Sequence, residues 1–530
     1  MRLVIFHYHL NQGGVTSVVR SHLQALATVA ADLELEEVAL AYCGRATGWS
    51  RDFESGLPFH LEHLIISSLE YDDLQTDLIP GRVELTTAME QAFADRGYDP
   101  GSTVLHAHNH ALGKNVALPK TLRHFASEGW RVLLQVHDFV EDLRPANYTH
   151  LLSSFGDEEE LWSTLYPQAA QIHYATLNQS DHTTLASAGI RLGSETEARL
   201  HLLPNPVTCD KSTTDNSTSK AQAECSAARR KLADVYSVPV DRPYVLYPVR
   251  GIRRKNLGEL LLWSLLLGDC TLSVTLEPKN EAERRSYLAW KEFSESMSLP
   301  ILFGSGELLS LDENYAAADA IISTSVAEGF GLVFLEAALR DRPLFGRNLP
   351  GVTADFIRDG MRFPGLADEL LVPCDSLDME LLRSAYDSFS KGLQADYGCS
   401  IDENGAFDEL LQGEHFDFGR LDTKQQRTVI SKAHADPDLV QRIAEKNPVV
   451  ALARRALLSD DRTSIDASGT NRVAIEQHYS LGAIGGKLAS IYEALLKCDL
   501  DSIESNPHIG RNLLRHFVRP EHLLPLRIES

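Results

Sequence analysis

Apolar runs of strand length alternate along this chain with segments of helical period, the pattern of βαβ units and parallel sheets. The first run, Leu3 to Tyr8, passes through Asn11-Gln12-Gly13-Gly14 into a segment whose apolar positions Val18, Val19, Leu23 and Leu26 recur at helical spacing. A strand, a Gly-rich turn and a helix are predicted there. Further strands are predicted at Glu37 to Tyr42, Thr103 to His108, Arg131 to His137, His173 to Leu177 and Leu200 to Leu203. Beyond Arg242 the alternation restarts, with strands at Tyr244 to Pro248, Thr271 to Leu276, Pro300 to Phe303 and Ala320 to Ser323, and helices at Asn256 to Leu267 and Leu332 to Leu339. The fold class this predicts is α/β, in two Rossmann-like halves.

Between the halves, Thr208 to Ala227 is rich in Ser, Thr, Asp and Lys and nearly free of large apolar residues, so it reads as a linker or surface loop. The expected organisation is an N-terminal domain over residues 1–207, a polar linker or loop over 208–240, and a second α/β domain over 241–480. Within the latter, residues 366–435 read as a looser, acidic insertion of mixed helices and loops. A late helix is predicted at Leu481 to Leu496, and no internal repeat of 20–50 residues stands out.

The chain has 530 residues, enough for three or four domains, or for two large ones with insertions, at about 150 residues per domain. Hydrophobic residues make up 43% of it and charged residues 23%, values that support sizeable cores. Lys and Arg total 50 against 74 Asp and Glu, a net charge of −24. So acidic a chain repels phosphate backbones and anionic headgroups, which argues against nucleic acid and against charge-driven membrane association. The seven cysteines form no C-x-x-C pair, the N-terminus MRLVIFHYHL lacks a signal-peptide h-region, and no apolar run reaches the roughly 18 residues of a membrane span. The expected compartment is the cytoplasm.

In open α/β sheets, ligands bind beyond the carboxyl ends of the strands. Three clusters fall there. Gly13-Gly14 lets a ligand approach the backbone and opens a helix whose N–H groups face an anion, although glycines also serve plain tight turns. Arg250-Gly251-Ile252-Arg253-Arg254-Lys255 concentrates four cations at a strand-to-helix junction, chemistry suited to a diphosphate. Ser323 to Glu336 runs from a strand through hydroxyls and Glu328 to a Gly329-Phe330-Gly331 turn, then into a helix carrying Glu336. Its helix N-terminus suits phosphate, and its two carboxylates can accept from sugar hydroxyls.

The spacing Glu328-x7-Glu336 around that turn, preceded by Arg250-x4-Lys255 and Gly13-Gly14, resembles the retaining nucleotide-sugar glycosyltransferases of the GT-B fold, in particular glycosyltransferase family 4 (glycosyl transferases group 1). Val136-His137-Asp138, Leu203-Pro204-Asn205-Pro206, Ala316 to Ala320 and Pro350-Gly351-Val352 extend the likeness over most of the chain. The resemblance implies two Rossmann-like domains facing a cleft, and a UDP-, GDP- or ADP-linked sugar as donor. Arg250 and Lys255 would hold its diphosphate and stabilise the leaving group. Glu328 would bind the sugar and Glu336 the ribose, with Gly13, Gly14, Gly329, Phe330, Gly331, Leu332 and Val333 as backbone contacts. His137 would face the donor sugar. The leaving phosphate would help take the acceptor's proton, so neither a glycosidase-type carboxylate pair, nor a metal, nor a further cofactor is implied. Leu481 to Leu496 resembles the family's C-terminal helix, which packs back toward the first domain together with the tail, residues 481–530. The chain departs from the pattern at Leu276-Glu277-Pro278-Lys279-Asn280, where the family carries a glycine-rich turn, and at Arg340-Asp341-Arg342.

The charge balance points to a small soluble acceptor, an anionic one included, with His108, Asn109, Lys114 and Arg144 as its expected contacts. Three rivals remain open at this level. His106, His108 and His110 alternate along a strand end, beside His7 and His9 on another, a spacing that could bind zinc in a hydrolase. An epimerase or glycan phosphorylase could share the architecture, and so could a non-catalytic sugar-nucleotide-binding protein.

Overall fold

A computed structural model describes residues 1–74, 82–193, 198–209, 217–400, 406–458 and 467–528. They divide into two compact units. The first comprises Met1–Thr208, Leu393–Ser400 and Glu476–Arg519, and the second Cys209–Gly392, Ile401–Ile475 and Pro520–Ser530.

The first unit is built on seven strands: β1 (Arg2–Phe6), β2 (Glu37–Tyr42), β3 (His60–Ile65), β4 (Thr103–His108), β5 (Arg131–Val136), β6 (Ile172–Thr176) and β7 (Leu200–Leu202). All pair in parallel, in the order β3-β2-β1-β4-β5-β6-β7, with Leu3 of β1 opposite Val38 and Val104. The inner strands are buried on both faces, which is why they read as continuous apolar runs. β3, with the sequence HLEHLI, is an edge strand and so half polar. The Gly14–Ala27 helix returns its apolar face to this sheet through Val19, Leu23 and Leu26. The Leu481–Lys497 helix packs on it with Ile484, Leu488 and Tyr492, and Gly485 permits the contact because a Cβ there would lie 2.5 Å from the Ala25 carbonyl oxygen.

The second unit holds six parallel strands: β8 (Tyr244–Arg250), β9 (Thr271–Leu276), β10 (Ile301–Phe303), β11 (Ala320–Ser323), β12 (Leu344–Arg347) and β13 (Leu366–Ala367), in the order β10-β9-β8-β11-β12-β13. β14 (Leu371–Pro373) and β15 (His415–Asp417) form a separate antiparallel pair. The Leu257–Leu267 helix is buried on nearly every side, which explains its almost unbroken leucine sequence.

Both units are α/β and Rossmann-like, as the alternation predicts. Three details differ. The stretch expected as a linker contains the Ser217–Tyr236 helix, which buries Ala228 and Leu232 and ties Arg229 to Asp319 and Lys231 to Glu313. Its few apolar positions suffice because these ion pairs flank the apolar contact on either side; residues 210–216 of that stretch lie outside the described residues. The segment 366–435 is not wholly an insertion, since β13 completes the sheet and the Thr423–Ala435 helix packs on Leu257–Leu267. Finally, the tail stays with the first unit only as far as Arg519: Arg420 and Tyr386 donate to the carbonyls of Glu521 and Pro520 in the second.

Candidate active site

In the second unit the expected residues converge at the carboxyl ends of β8 and β11. β8 ends at Arg250, whose Nη1 donates to the Glu277 carbonyl at 2.8 Å. The non-glycine turn after β9 therefore orients this guanidinium. The chain then makes a 3-10 turn, Arg253–Lys255, closed by Asn256 in the left-handed region (φ 49°), whose side chain caps the next helix. Two bonds strap this loop to the end of β11: Thr324 Oγ1 donates to the Lys255 carbonyl at 2.9 Å, and the Val326 N–H donates to the Arg254 carbonyl at 2.9 Å.

So held, Lys255 meets Glu328. Its Nζ donates to Glu328 Oε1, and both side chains are about nine-tenths buried. The same oxygen accepts from Ser325 Oγ at 2.7 Å, and Ser325 lies 2.6 Å from the Tyr247 hydroxyl. Burial opposes the charge on Glu328, but Lys255, Arg254 and these hydrogen bonds outweigh it and hold the carboxyl below its ordinary value. Burial, with Arg254 beside it, lowers the Lys255 ammonium despite Glu328. The pair is a preformed ion pair in a dry setting, where a charge acts on a ligand more strongly than in water.

Gly331 ends the turn at φ 79° and caps the Leu332–Leu339 helix. A Cβ there would lie 2.6 Å from the Phe334 ring and 3.0 Å from Val352, so glycine is required on two counts. Phe330 packs its ring on Phe356 with centroids 5.5 Å apart, leaving only its backbone for a ligand. Val333 is buried as well, and Gly329 and Leu332 are partly exposed beside it. Glu336 accepts from the Tyr315 hydroxyl at 2.8 Å, and burial raises its carboxyl above the ordinary value.

In the first unit, Gly13 and Gly14 are exposed at the start of the Gly14–Ala27 helix. Gly13 is extended (φ −174°), and a Cβ on Gly14 would meet nothing within 4 Å. Nothing in the turn itself requires glycine at either position.

His137 follows β5 with its Nε2 2.8 Å from His108 Nδ1. Asn109, at φ 55°, organises the turn: its Oδ1 accepts from the His137 and Asp138 N–H groups, and its Nδ2 donates to Asp138. Burial lowers the His137 pKa to about 4, so it is neutral at pH 7. His108 and Asn109, expected as acceptor contacts, are both buried and support the His137 turn through these bonds, while His108 Nε2 has no partner. Arg144 is partly exposed but paired with Asp138 at 2.6 Å. Lys114 has no carboxylate partner among the described residues; its ammonium lies 5.5 Å from the Tyr71 ring, which Arg45 also approaches.

The histidines do not gather as their spacing suggested. His110 bonds the Leu165 carbonyl, while His106 and His108 are joined by His22 from the Gly14–Ala27 helix, with one nitrogen from each lying within 4.8 Å of the others. His106 already engages Tyr492 and Gln135 through both nitrogens, so it could ligate a metal only by giving one bond up. Sequence reading missed His22, although it shares the helix face of Val18 and Leu26. It also missed Tyr247, whose hydroxyl bonds Ser325, the residue that donates to Glu328.

No protein-family model matches the chain. A mannosylglucosyl-3-phosphoglycerate synthase from Petrotoga mobilis is 27% identical over 394 residues, 73% of this chain and 72% of that protein. Among solved structures, a glycosyltransferase from Rickettsia africae superposes with a TM-score of 0.51 at 14% identity, over 94% of this chain and 98% of that one. Sucrose-phosphate synthase from Thermosynechococcus elongatus does so at 0.50 and 14%, over 93% and 98%. The fold is that of the GT-B glycosyltransferases, and the chain resembles that group in sequence as well.

Proposed function

We propose that this glycosyltransferase moves a hexose, with retention of anomeric configuration, from a nucleotide-diphosphate sugar to a hydroxyl of a small, soluble, phosphorylated acceptor. The observation that carries the reading is the buried Lys255–Glu328 pair, with Arg254 acting on both of its members, at the Gly329–Gly331 helix start. In it, cationic groups and helix N–H groups stand ready for the charge that grows on the departing diphosphate. That electrostatic work needs no metal. Glu328, kept ionised by Lys255, accepts from the donor sugar, and Glu336 with Tyr315 from the ribose. His137, being neutral, serves as a hydrogen-bonding group to the sugar. Its lowered pKa makes it a weak base, so the leaving phosphate takes the acceptor proton.

The relative's name supports an acceptor of the glucosyl-3-phosphoglycerate class and a mannosyl donor. Lys114 is the cation we assign to the acceptor's anionic group. The chain belongs to the cytoplasm on this reading, consistent with seven free cysteines and with no described helix long and apolar enough to cross a membrane. A thermal-unfolding screen of UDP-, GDP- and ADP-linked sugars tests the donor assignment, since a ligand of the native state raises the apparent melting temperature. Protection by one nucleotide class, lost in Lys255→Ala, is expected. Protection by none would overturn the reading.

A further inference from the structure

Away from Lys255 and Glu328, the second unit carries a cavity of about 1030 Å³ lined by residues of the Glu281–Ser296 and Thr423–Ala435 helices. Its wall holds Arg253, Arg285, Lys424, Arg427 and Lys432 against the single carboxylate of Asp422. That carboxylate is already engaged as a helix cap, accepting from the Gln425 N–H at 2.7 Å. Five cations around one cavity, in a chain of net charge −24, repel one another unless an anion lies among them.

Only one of the five cations has a carboxylate partner among the described residues. Arg253 pairs with Glu283, and Lys432 donates to the Ser376 carbonyl. Arg285 and Lys424 have no side-chain hydrogen bond or ion pair among the described residues. Arg427 is fixed in place: its guanidinium lies 5.1 Å from the Trp290 ring and 5.2 Å from Phe293, and it donates to the Ala289 carbonyl. Its Nε is buried without a partner. A rigid guanidinium, two free cations and the hydroxyls of Ser286 and Thr428 make a wall suited to phosphate oxygens. The volume is that of a small-molecule site.

We propose that this cavity binds a small, multiply charged phosphate compound at a site separate from the one that holds the donor diphosphate. It lies close behind the donor loop, because Gln426 of the same helix donates to Asn256 Oδ1 at 2.9 Å, next to Lys255.

Inorganic pyrophosphate serves as the probe. Since it can also enter the donor loop, its effect is first read in Lys255→Ala, where that loop is disabled. A saturable rise of a few degrees in melting temperature is expected there. Adding Arg285→Gln and Lys424→Gln to that variant should abolish the rise. In case Lys255→Ala folds poorly, calorimetric stoichiometry on the otherwise intact chain gives a second reading: Arg285→Gln/Lys424→Gln should bind one pyrophosphate fewer, or weaken one site at least tenfold, with a ligand-free melting temperature that is not lowered. Unaltered binding in the double variant would overturn the proposal. So would binding of polyaspartate in place of pyrophosphate, which would mark a docking surface for an acidic polypeptide. Loss of pyrophosphate binding in Lys255→Ala with no change in the cavity variant would place all binding in the donor loop and leave the proposed function standing without this site.

Discussion

Replacing Lys255 by methionine separates the catalytic use of the Lys255–Glu328 pair from its structural cost. Lys255 touches Glu328 in a setting where both side chains are about nine-tenths buried, so the substitution strands a carboxylate. Removing one partner of a buried pair costs about 3–5 kcal/mol. Here the lower end is expected, because Ser325 still donates to Glu328 and Arg254 still attracts it. The stranded carboxyl, deprived of Lys255, is pushed upward by burial, so the destabilisation should shrink as the medium is made acidic enough to protonate it. In the unaltered chain the sign is opposite: Glu328 titrates below its unfolded value, so its stabilisation is present above the ordinary carboxylate range and is lost as pH falls through the lower folded value. Turnover should fall about 100- to 1000-fold, the usual cost of removing one preorganised transition-state donor. The assay is kcat at saturating substrates beside denaturant unfolding, in Lys255→Met and in Lys255→Met/Glu328→Gln. The double variant should regain much of the stability and none of the turnover. A Lys255→Met enzyme within threefold of full activity, or a double variant as unstable as the single, would refute the reasoning.

Gly331→Ala should raise the donor KM about tenfold and cost about 1–2 kcal/mol from the left-handed backbone alone, with further loss from the 2.6 Å approach to Phe334; unchanged KM and stability would contradict this. Arg347→Met leaves Glu259 and Asp417 buried without their shared guanidinium and should destabilise the second unit by about 3–5 kcal/mol, read by denaturant unfolding. Burial lowers His7, His106, His110, His137, His173 and His201 to about 3 or 4, so the unfolded chain binds protons that the native first unit refuses, and stability should drop as pH falls from 6.5 toward 4, by roughly 1.4 kcal/mol per pH unit for each histidine. Glu141 and Glu259, raised by burial to about 8 and about 7, work in the opposite sense but are two groups against six; equal stability at pH 7 and pH 5 would refute the account. Lys114→Ala should raise the acceptor KM about tenfold with kcat and donor KM unchanged, and an unaltered acceptor KM would remove Lys114 from the site.

What the sequence made legible was whatever local pattern determines. Inner strands such as Thr103–His108 and Thr271–Leu276 fall where their apolar runs place them, because a strand buried on both faces has no polar positions to blur it. The turn from Ser323 to Glu336 was readable because hydroxyls, carboxylate and glycines stand together in one short stretch. β3 was missed since half of its positions are polar, β12 since its sequence LFGR ends in a glycine and an arginine, and β13 since two residues carry too little pattern. The Ser217–Tyr236 helix was hidden because ion pairs to Asp319 and Glu313, distant in sequence, do part of what an apolar face would do. Distance in sequence also concealed the Arg347–Glu259–Asp417 cluster and the joining of His22 to His106 and His108. The burial of His108 and Asn109 was not legible either, since burial is a tertiary property that spacing along a strand end does not report.

The central claim is tested most directly by incubating the purified chain with a nucleotide-linked mannose and glucosyl-3-phosphoglycerate, with the UDP-, GDP- and ADP-linked hexoses in parallel, and following both nucleotide release and the anomeric signal of the product by NMR. The account predicts that one donor releases its nucleoside diphosphate only when acceptor is present, and that the new linkage keeps the donor's anomeric configuration. Inversion at the anomeric carbon, conversion of the sugar nucleotide without acceptor, or no release from any of these donors would contradict it.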